Sequence, residues 1–150
     1  MNKKGFTLIE LLIVVAIIGI VAAIAIPNLL TAIQKAKQKS TMGDMKSIGT
    51  AVESYMSDNY RAPDSLGANS GLEPFHIKRL PLNDGWGNAW GYAVGGTTHD
   101  VYSIGSGGRD GTGATSSFNR TGTYIVNSLA GFDNDIVFSN GTFTYGPRVK

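Results

Sequence analysis

Glu10 has the strongest chemical implication in this chain, because it lies near the start of a nearly unbroken apolar run at residues 11–26. An ionised side chain at membrane depth is energetically costly, so it needs a partner or a function. In a low-dielectric helix bundle an opposite charge at contact distance stabilises it, and either charge alone is penalised. Alternatively, the carboxylate reaches the headgroup region at one membrane edge. The residues alone leave both interpretations open.

Three aspartates in the second half of the chain could ligate a metal ion. Asp110 lies in the glycine-rich stretch at residues 105–122, while Asp133 and Asp135 precede the last predicted hairpin. Calcium favours several oxygen ligands at about 2.3–2.6 Å, supplied by carboxylates and by the carbonyls of flexible loops. The alternative is that aspartate, asparagine and glycine merely form turns here. The pattern is not an EF-hand, since the ligand ladder and the closing glutamate are missing.

Sequence motifs of catalysis are absent. His76 and His99 are isolated and lack metal-type spacing, and there is no Gly-x-Ser-x-Gly. Gly105-Ser106-Gly107-Gly108 lacks the Lys-Ser/Thr ending and the following helix of a phosphate loop. An aromatic group could bind sugar or pack beside a sheet, and packing is the favoured interpretation for Trp86, Trp90 and Tyr92. The sequence therefore predicts a protein that is not an enzyme.

The segment that holds Glu10 is predicted to be one long helix. Residues 6–26 supply the roughly 20 apolar residues that a membrane span requires. Pro27 interrupts the pattern, and a proline inside a helix bends the axis. Gly43 and Gly49 are expected to weaken the helix by up to about 1 kcal/mol each relative to alanine. The helix should end near Asp58-Asn59. Apolar residues at spacings of three and four predict one buried face, formed by Met45, Ile48, Val52, Tyr55 and Met56.

The second half is predicted to be rich in strands. Alternation around Trp90 to Val94 and again at residues 100–104 predicts two strands, and a third short strand is expected at residues 124–126. Residues 136–138 and 142–145 flank Asn140-Gly141, which is the strongest short hairpin signal. The predicted fold class is α+β: one long N-terminal helix packed on a small antiparallel sheet of three to five strands, with long glycine-rich loops.

The junction Lys3-Lys4-Gly5-Phe6-Thr7-Leu8-Ile9-Glu10 resembles the prepilin signature of type IV pilins and of the pseudopilins of type II secretion. This resemblance implies that a prepilin peptidase cleaves between Gly5 and Phe6 and that the new amine is methylated. It also implies that Glu10 neutralises the amine of Phe6 of a neighbouring subunit. In the same family a stretch that Gly19 and Pro27 bracket here loses helicity on assembly, although both residues are also simply tolerated in membrane helices.

A second resemblance points to the G-type major pseudopilin. It rests on Asp84-Gly85-Trp86-Gly87-Asn88, followed by Trp90-Gly91-Tyr92 and by Val101-Tyr102-Ser103-Ile104-Gly105. Gly85 and Ala89 stand where that pattern has prolines. The resemblance implies a calcium ion held by the loop after the second strand and by a later acid, in a loop that is longer here than in the family. The ligands that the resemblance implies are Asp110 and Asp135, and we expect Asp133 and the carbonyl of Ile104 to complete the site.

The expected organisation is a leader at residues 1–5, a transmembrane and assembly helix at 6–27, its amphipathic continuation at 28–60, and a β-rich head at 61–150. The resemblance implies a single-pass protein of the inner membrane with a periplasmic head, which assembles with copies of itself and with secretion machinery. Two of the 13 basic side chains lie in the leader, and the remaining 11 equal the 11 acidic ones, so nothing suggests nucleic acid. A surface type IV pilin and a membrane-tethered binding module remain alternatives.

Overall fold

The structure, a computed structural model, describes residues 5–67, 69–113 and 120–148. Its first element, helix α1, is Leu8–Asn59 and contains 52 residues. The chain divides into two compact units, Met1–Ile33 and Gln34–Lys150. Within the described residues α1 is the helix that is long and apolar enough to cross a membrane, by length and composition. This outcome agrees with the predicted span.

Pro27 lies inside α1 and does not end it. Proline cannot donate a backbone hydrogen bond, so carbonyls near it need other donors. Two side chains donate to backbone carbonyls here: Asn28 Nδ2 to Ile24 O at 3.1 Å and Thr31 Oγ1 to Pro27 O at 3.0 Å. These two polar side chains add hydrogen bonds to the helix backbone next to the proline.

The end of α1 falls where the sequence predicts it. Tyr60 adopts a left-handed conformation with φ of 60° and donates its N–H to the carbonyl of Met56 at 2.8 Å. A left-handed residue just after the last helical one is a common helix stop, because it turns the chain away while satisfying a terminal carbonyl. This stop lets the chain leave the helix toward the sheet.

The sheet has five strands in the order β1-β2-β4-β5-β3. The strands are β1 Gly91–Gly95, β2 Val101–Ser106, β3 Gly122–Tyr124, β4 Ile136–Ser139 and β5 Thr142–Pro147. The pairs β1–β2, β2–β4 and β4–β5 are antiparallel. Between β4 and β5, Asn140 and Gly141 have φ of 45° and 81°, so the predicted hairpin turn is confirmed.

The third strand differs from the prediction in its bounds and its direction. It covers Gly122–Tyr124 rather than residues 124–126, and it pairs parallel with β5, so the sheet is mixed and not wholly antiparallel. The strand β5 returns from β4 and inserts between β4 and β3, so β3 pairs with β5 and not with β4. Because β3 and β5 both run opposite to β4, they are parallel to each other.

The core of the second unit lies between α1 and the sheet. Met45, Ile48 and Val52 are fully buried, and Tyr55 and Met56 pack against them while partly exposed. The sheet contributes Tyr102, Ile104, Ile136 and Phe138 to the same cluster. Each fully buried large side chain contributes about 1.5–3 kcal/mol. The predicted helical stripe is therefore the helix side of the core.

Candidate functional site

The predicted processing junction lies just before α1. Gly5 and Phe6 are outside the helix and exposed, and Phe6 retains 76% of its surface. A peptidase needs its target bond in a non-helical, accessible segment, and the Gly5–Phe6 bond has both properties. The placement is what processing at this bond requires.

Glu10 has a partner in its own chain. Its Oε2 accepts hydrogen bonds from the backbone N–H of Thr7 at 2.8 Å and from the Thr7 hydroxyl at 2.6 Å. In return, the N–H of Glu10 donates to Thr7 Oγ1 at 3.3 Å. This reciprocal pattern is a capping box, in which a threonine and a glutamate three residues later satisfy free N–H groups at a helix start. The Thr-x-x-Glu spacing carries this signal, which the sequence analysis missed.

Gly19 and Pro27, the other predicted assembly residues, both lie inside α1. A Cβ at Gly19 would meet no atom within 4 Å among the described residues. The large apolar side chains between residues 6 and 33 are likewise exposed, from 42% at Ile33 to 87% at Leu8. Packing inside the described chain therefore does not require a glycine at position 19, and a role in assembly stays a prediction.

The predicted calcium ligands are engaged with other side chains. Asp133 accepts two hydrogen bonds from Arg109, from Nε at 2.7 Å and from Nη2 at 2.9 Å. Asp135 is buried, and its Oδ2 forms an ion pair with Arg120. Asp110 accepts hydrogen bonds from the N–H of Thr112 at 3.0 Å and from its hydroxyl at 2.8 Å.

These contacts explain two pKa shifts. Hydrogen bonds from the Thr112 N–H and hydroxyl hold the pKa of Asp110 below its ordinary value. The hydrogen bonds to Asp133 raise the pKa of Arg109 above its ordinary value. Both groups are therefore charged across the physiological range.

Ile104 lies inside β2, where it pairs with Tyr92 of β1 and with Phe138 of β4. A carbonyl in a central strand belongs to the hydrogen-bond ladder, which limits its use as a metal ligand. Among residues 5–67, 69–113 and 120–148, no three acidic or histidine side chains are grouped so that they could share a metal ion. As placed here, the predicted ligands are engaged by other groups, so these residues do not fit a calcium site.

Asp84 is the acid whose structural role the sequence analysis missed. It is 6% exposed, and its Oδ1 accepts from the N–H groups of Trp86 at 2.9 Å and Asn88 at 2.8 Å. Its Oδ2 accepts from the hydroxyl of Ser106, the last residue of β2, at 2.6 Å. A buried carboxylate with three donors is satisfied, so Asp84 holds its loop closed and fastens it to β2.

The same loop also touches α1 and the glycine-rich segment. Gly85 N–H donates to Thr41 Oγ1 at 3.0 Å, and a Cβ at Gly85 would lie 2.5 Å from the carbonyl oxygen of Lys37. On the other side, Asn88 Nδ2 donates to the carbonyl of Gly108 at 2.8 Å. The close approach to the helix explains why glycine stands at position 85, where the resembling pattern has proline.

The polar atoms of three aromatic residues in and just after this loop, Trp86, Trp90 and Tyr92, donate hydrogen bonds to other parts of the protein. Trp86 Nε1 donates to Gln34 Oε1 at 2.7 Å, and Trp90 Nε1 donates to the carbonyl of Pro81 at 2.9 Å. The hydroxyl of Tyr92 donates to the carbonyl of Pro63 at 2.8 Å. Aromatic rings fixed in this way support the head, which favours packing over a sugar platform.

A long apolar helix behind an accessible junction, followed by a helix-packed sheet, defines the class of pilin-like proteins with a processed N-terminus. Residues 1–26 match the family described as the prokaryotic N-terminal methylation motif. Residues 28–121, more than half of the chain, match the family described as type II secretion system (T2SS), protein G. The chain belongs to the type II secretion system protein G family.

Individual relatives agree with this assignment. The chain is 34% identical to the type II secretion system core protein G of Pseudomonas aeruginosa, over 73% of this chain and 88% of that protein. It is 32% identical to the protein of the same description in Escherichia coli, over 73% and 84%. It is 40% identical to the type IV major pilin protein PilA of Myxococcus xanthus, over 66% of this chain and 40% of that protein. No solved structure matches the chain significantly.

Proposed function

We propose that this protein is a structural subunit that polymerises through its N-terminal helix into the pseudopilus of type II protein secretion. One observation carries the proposal: a head of the protein G family follows an exposed junction that matches the methylation motif and an apolar helix with a single early carboxylate. Processing by a prepilin peptidase and work within the secretion machinery are part of this function. The role is structural, and we propose no catalytic step.

Membrane anchoring follows from the apolar part of α1. Its most apolar 18-residue window has a mean hydropathy of 3.1, and none of it is buried within the chain. So much exposed apolar surface must be covered by lipid or by other protein. The helix is therefore held in the inner membrane before assembly and by neighbouring copies afterwards, with the head in the periplasm.

Assembly requires a cation for Glu10 once lipid and water are excluded. Cleavage before Phe6 creates an amine close to Thr7, the residue that already hydrogen bonds to Glu10. A carboxylate and an amine from adjacent copies would neutralise each other in a dry helix bundle. This pairing requires processing first, which couples cleavage to polymerisation.

A surface type IV pilus is the second candidate, because the PilA of Myxococcus xanthus is among the relatives. Deletion of the gene in its own host separates the two functions. For a pseudopilin we expect folded exoproteins to accumulate in the periplasm while surface pili and motility persist. Loss of surface pili with normal protein secretion would instead establish the pilin function. Complementation with the unaltered gene is the control.

A further inference from the structure

We propose that the guanidinium groups of Arg109 and Arg120 neutralise Asp133 and Asp135 and hold residues 108–113 and 120–122 in the head, so that the head folds without a metal ion there. All four side chains lie in the head, so their pairing does not depend on the filament in which the subunit works. Asp135 is only 5% exposed although it carries a carboxylate.

A carboxylate this deeply buried needs hydrogen-bond donors or a cation, because desolvation of an unpaired charge is costly. Backbone from the glycine-rich segment also approaches it closely. A Cβ at Gly113 would lie 3.2 Å from both carboxylate oxygens of Asp135. Gly113 thus lies directly against this carboxylate, and neutralising Asp135 stabilises the packing there.

Arg120 supplies the charge from a fixed position. Its guanidinium pairs with Asp135 and lies over the ring of Tyr145, 4.8 Å from the ring centroid. Tyr145 belongs to β5 and is the register partner of Gly122, two residues after Arg120. The parallel pairing of β3 with β5 therefore positions the arginine, and a cation–π contact supports it.

Arg109 joins the two 3₁₀ helices of the head, Gly108–Asp110 and Leu129–Asp133. Its two hydrogen bonds to Asp133 form the forked geometry that guanidinium makes with carboxylate. The backbones beneath are in direct contact, since a Cβ at Gly108 would lie 2.6 Å from the carbonyl oxygen of Phe132. The Arg109–Asp133 ion pair therefore lies across a backbone contact that leaves no room for a side chain at Gly108.

The charge of the two arginines is the charge that a calcium ion would otherwise supply. Two guanidinium groups carry the same total positive charge as one divalent cation, and arginine keeps its charge at every physiological pH. Asp110, the third acid, is satisfied by Thr112. The two arginines therefore balance the charges of Asp133 and Asp135 with side chains of the chain itself.

The test is thermal unfolding of the full mature chain in detergent, with millimolar calcium or with the chelator EGTA. Tryptophan fluorescence reports on the head, because both tryptophans of the chain, Trp86 and Trp90, lie in it. We expect the same melting temperature in both conditions. A melting temperature that calcium raises by more than about 3 °C would overturn the proposal.

The variants test the arginines themselves. We expect Arg120→Gln to lower the melting temperature in EGTA by about 5 °C or more, because Asp135 loses its partner. The double variant R109Q/R120Q should melt lower still, and equally in calcium and in EGTA, because no three acidic side chains of the described residues are grouped to share an ion. Arg79→Gln, at an exposed arginine outside this network, is the matched control and should melt like the parent. Equal melting of Arg120→Gln and the control would contradict the proposal; if Arg120→Gln does not fold, the parent with and without calcium still decides it.

Discussion

The carboxylate of Glu10 is hydrogen bonded to Thr7 at the start of α1, on the N-terminal side of an exposed apolar surface. These hydrogen bonds satisfy free N–H groups of the helix but do not neutralise the charge. Helix capping and charge neutralisation can be separated experimentally, because capping depends on Thr7 and neutralisation depends on a cation outside this subunit.

Cleavage is the first prediction at this scale. We expect the mature protein to begin at Phe6 and to carry one methyl group on its amine, since the Gly5–Phe6 bond is accessible and matches the methylation motif. Intact mass spectrometry of membrane-extracted and filament protein measures this directly. The chain expressed without a prepilin peptidase should keep Met1 and serves as control. Filaments built from uncleaved chains would refute the prediction.

Glu10→Ala is the second prediction. The helix becomes more apolar, so insertion into the membrane should be unimpaired, whereas filament yield should fall roughly tenfold or more because a buried amine loses its partner. Fractionation and filament shearing, at equal expression, give both readouts.

Thr7→Ala is the matched control for this variant. It removes part of the helix cap, worth about 1 kcal/mol, but keeps the carboxylate. We expect it to assemble far better than Glu10→Ala. Equal loss of filaments in both variants would show that capping, and not charge, governs assembly.

At the scale of elements, α1 and the sheet are in close contact at Gly49. A Cβ there would lie 2.3 Å from Phe138 Cε1. The ring of Phe138 is held edge-on against Phe143, with centroids 5.0 Å apart, so it has little freedom to withdraw. Packing against Phe138 therefore explains the glycine at position 49, although glycine has a low helix propensity and weakens α1.

Because of this contact, we expect two glycine-to-alanine substitutions in α1 to change the stability of the head in opposite directions. Gly49→Ala should destabilise the head by about 1–3 kcal/mol, because an added carbon overpacks the core. Gly43→Ala should stabilise it by up to about 1 kcal/mol, since its Cβ would meet nothing within 4 Å among the described residues. Urea unfolding followed by tryptophan fluorescence measures both. Stabilisation by both substitutions would show that Phe138 yields and that propensity dominates.

At the scale of the whole molecule, burial of tyrosines links the stability of the head to alkaline pH. Desolvation by burial raises the pKa of Tyr92, Tyr102 and Tyr124 well above the ordinary value near 10. For Tyr102, the hydrogen bond from its hydroxyl to Glu53, at 3.0 Å, raises the pKa further. The folded state thus favours the protonated form of three of the six tyrosines.

The sign of the pH effect follows from these raised values. Their stabilising contribution is complete below about pH 10, where the unfolded tyrosines are protonated, and is lost as pH rises through the folded-state pKa values. We expect tyrosinate absorbance of the folded protein to show a fraction that resists ionisation above about pH 10 until unfolding. In concentrated urea all six tyrosines should titrate together. A single common titration of the folded protein would contradict the prediction.

The sequence by itself determined the features that depend on neighbouring residues. The apolar run, the stripe at spacings of three and four, and the end near Asn59 predicted α1 and its buried face, because helix periodicity is local. Asn140-Gly141 predicted the last hairpin for the same reason, since two left-handed residues suffice to turn the chain. The junction before Phe6 indicated the class of protein, and the motif around Trp86 pointed to the subclass while a surface pilin stayed an alternative.

Only the tertiary structure decided which distant groups meet. The pairing of β3 with β5 depends on where β5 inserts, and that pairing in turn places Arg120 beside Asp135. Asp84 joins its loop to Ser106, and Gly49 accepts the ring of Phe138, across separations that no periodicity encodes. The sequence could show three acids of a possible calcium site, but not that arginines face two of them. Charges select their partners by distance in space, and distance in space is a property of the fold.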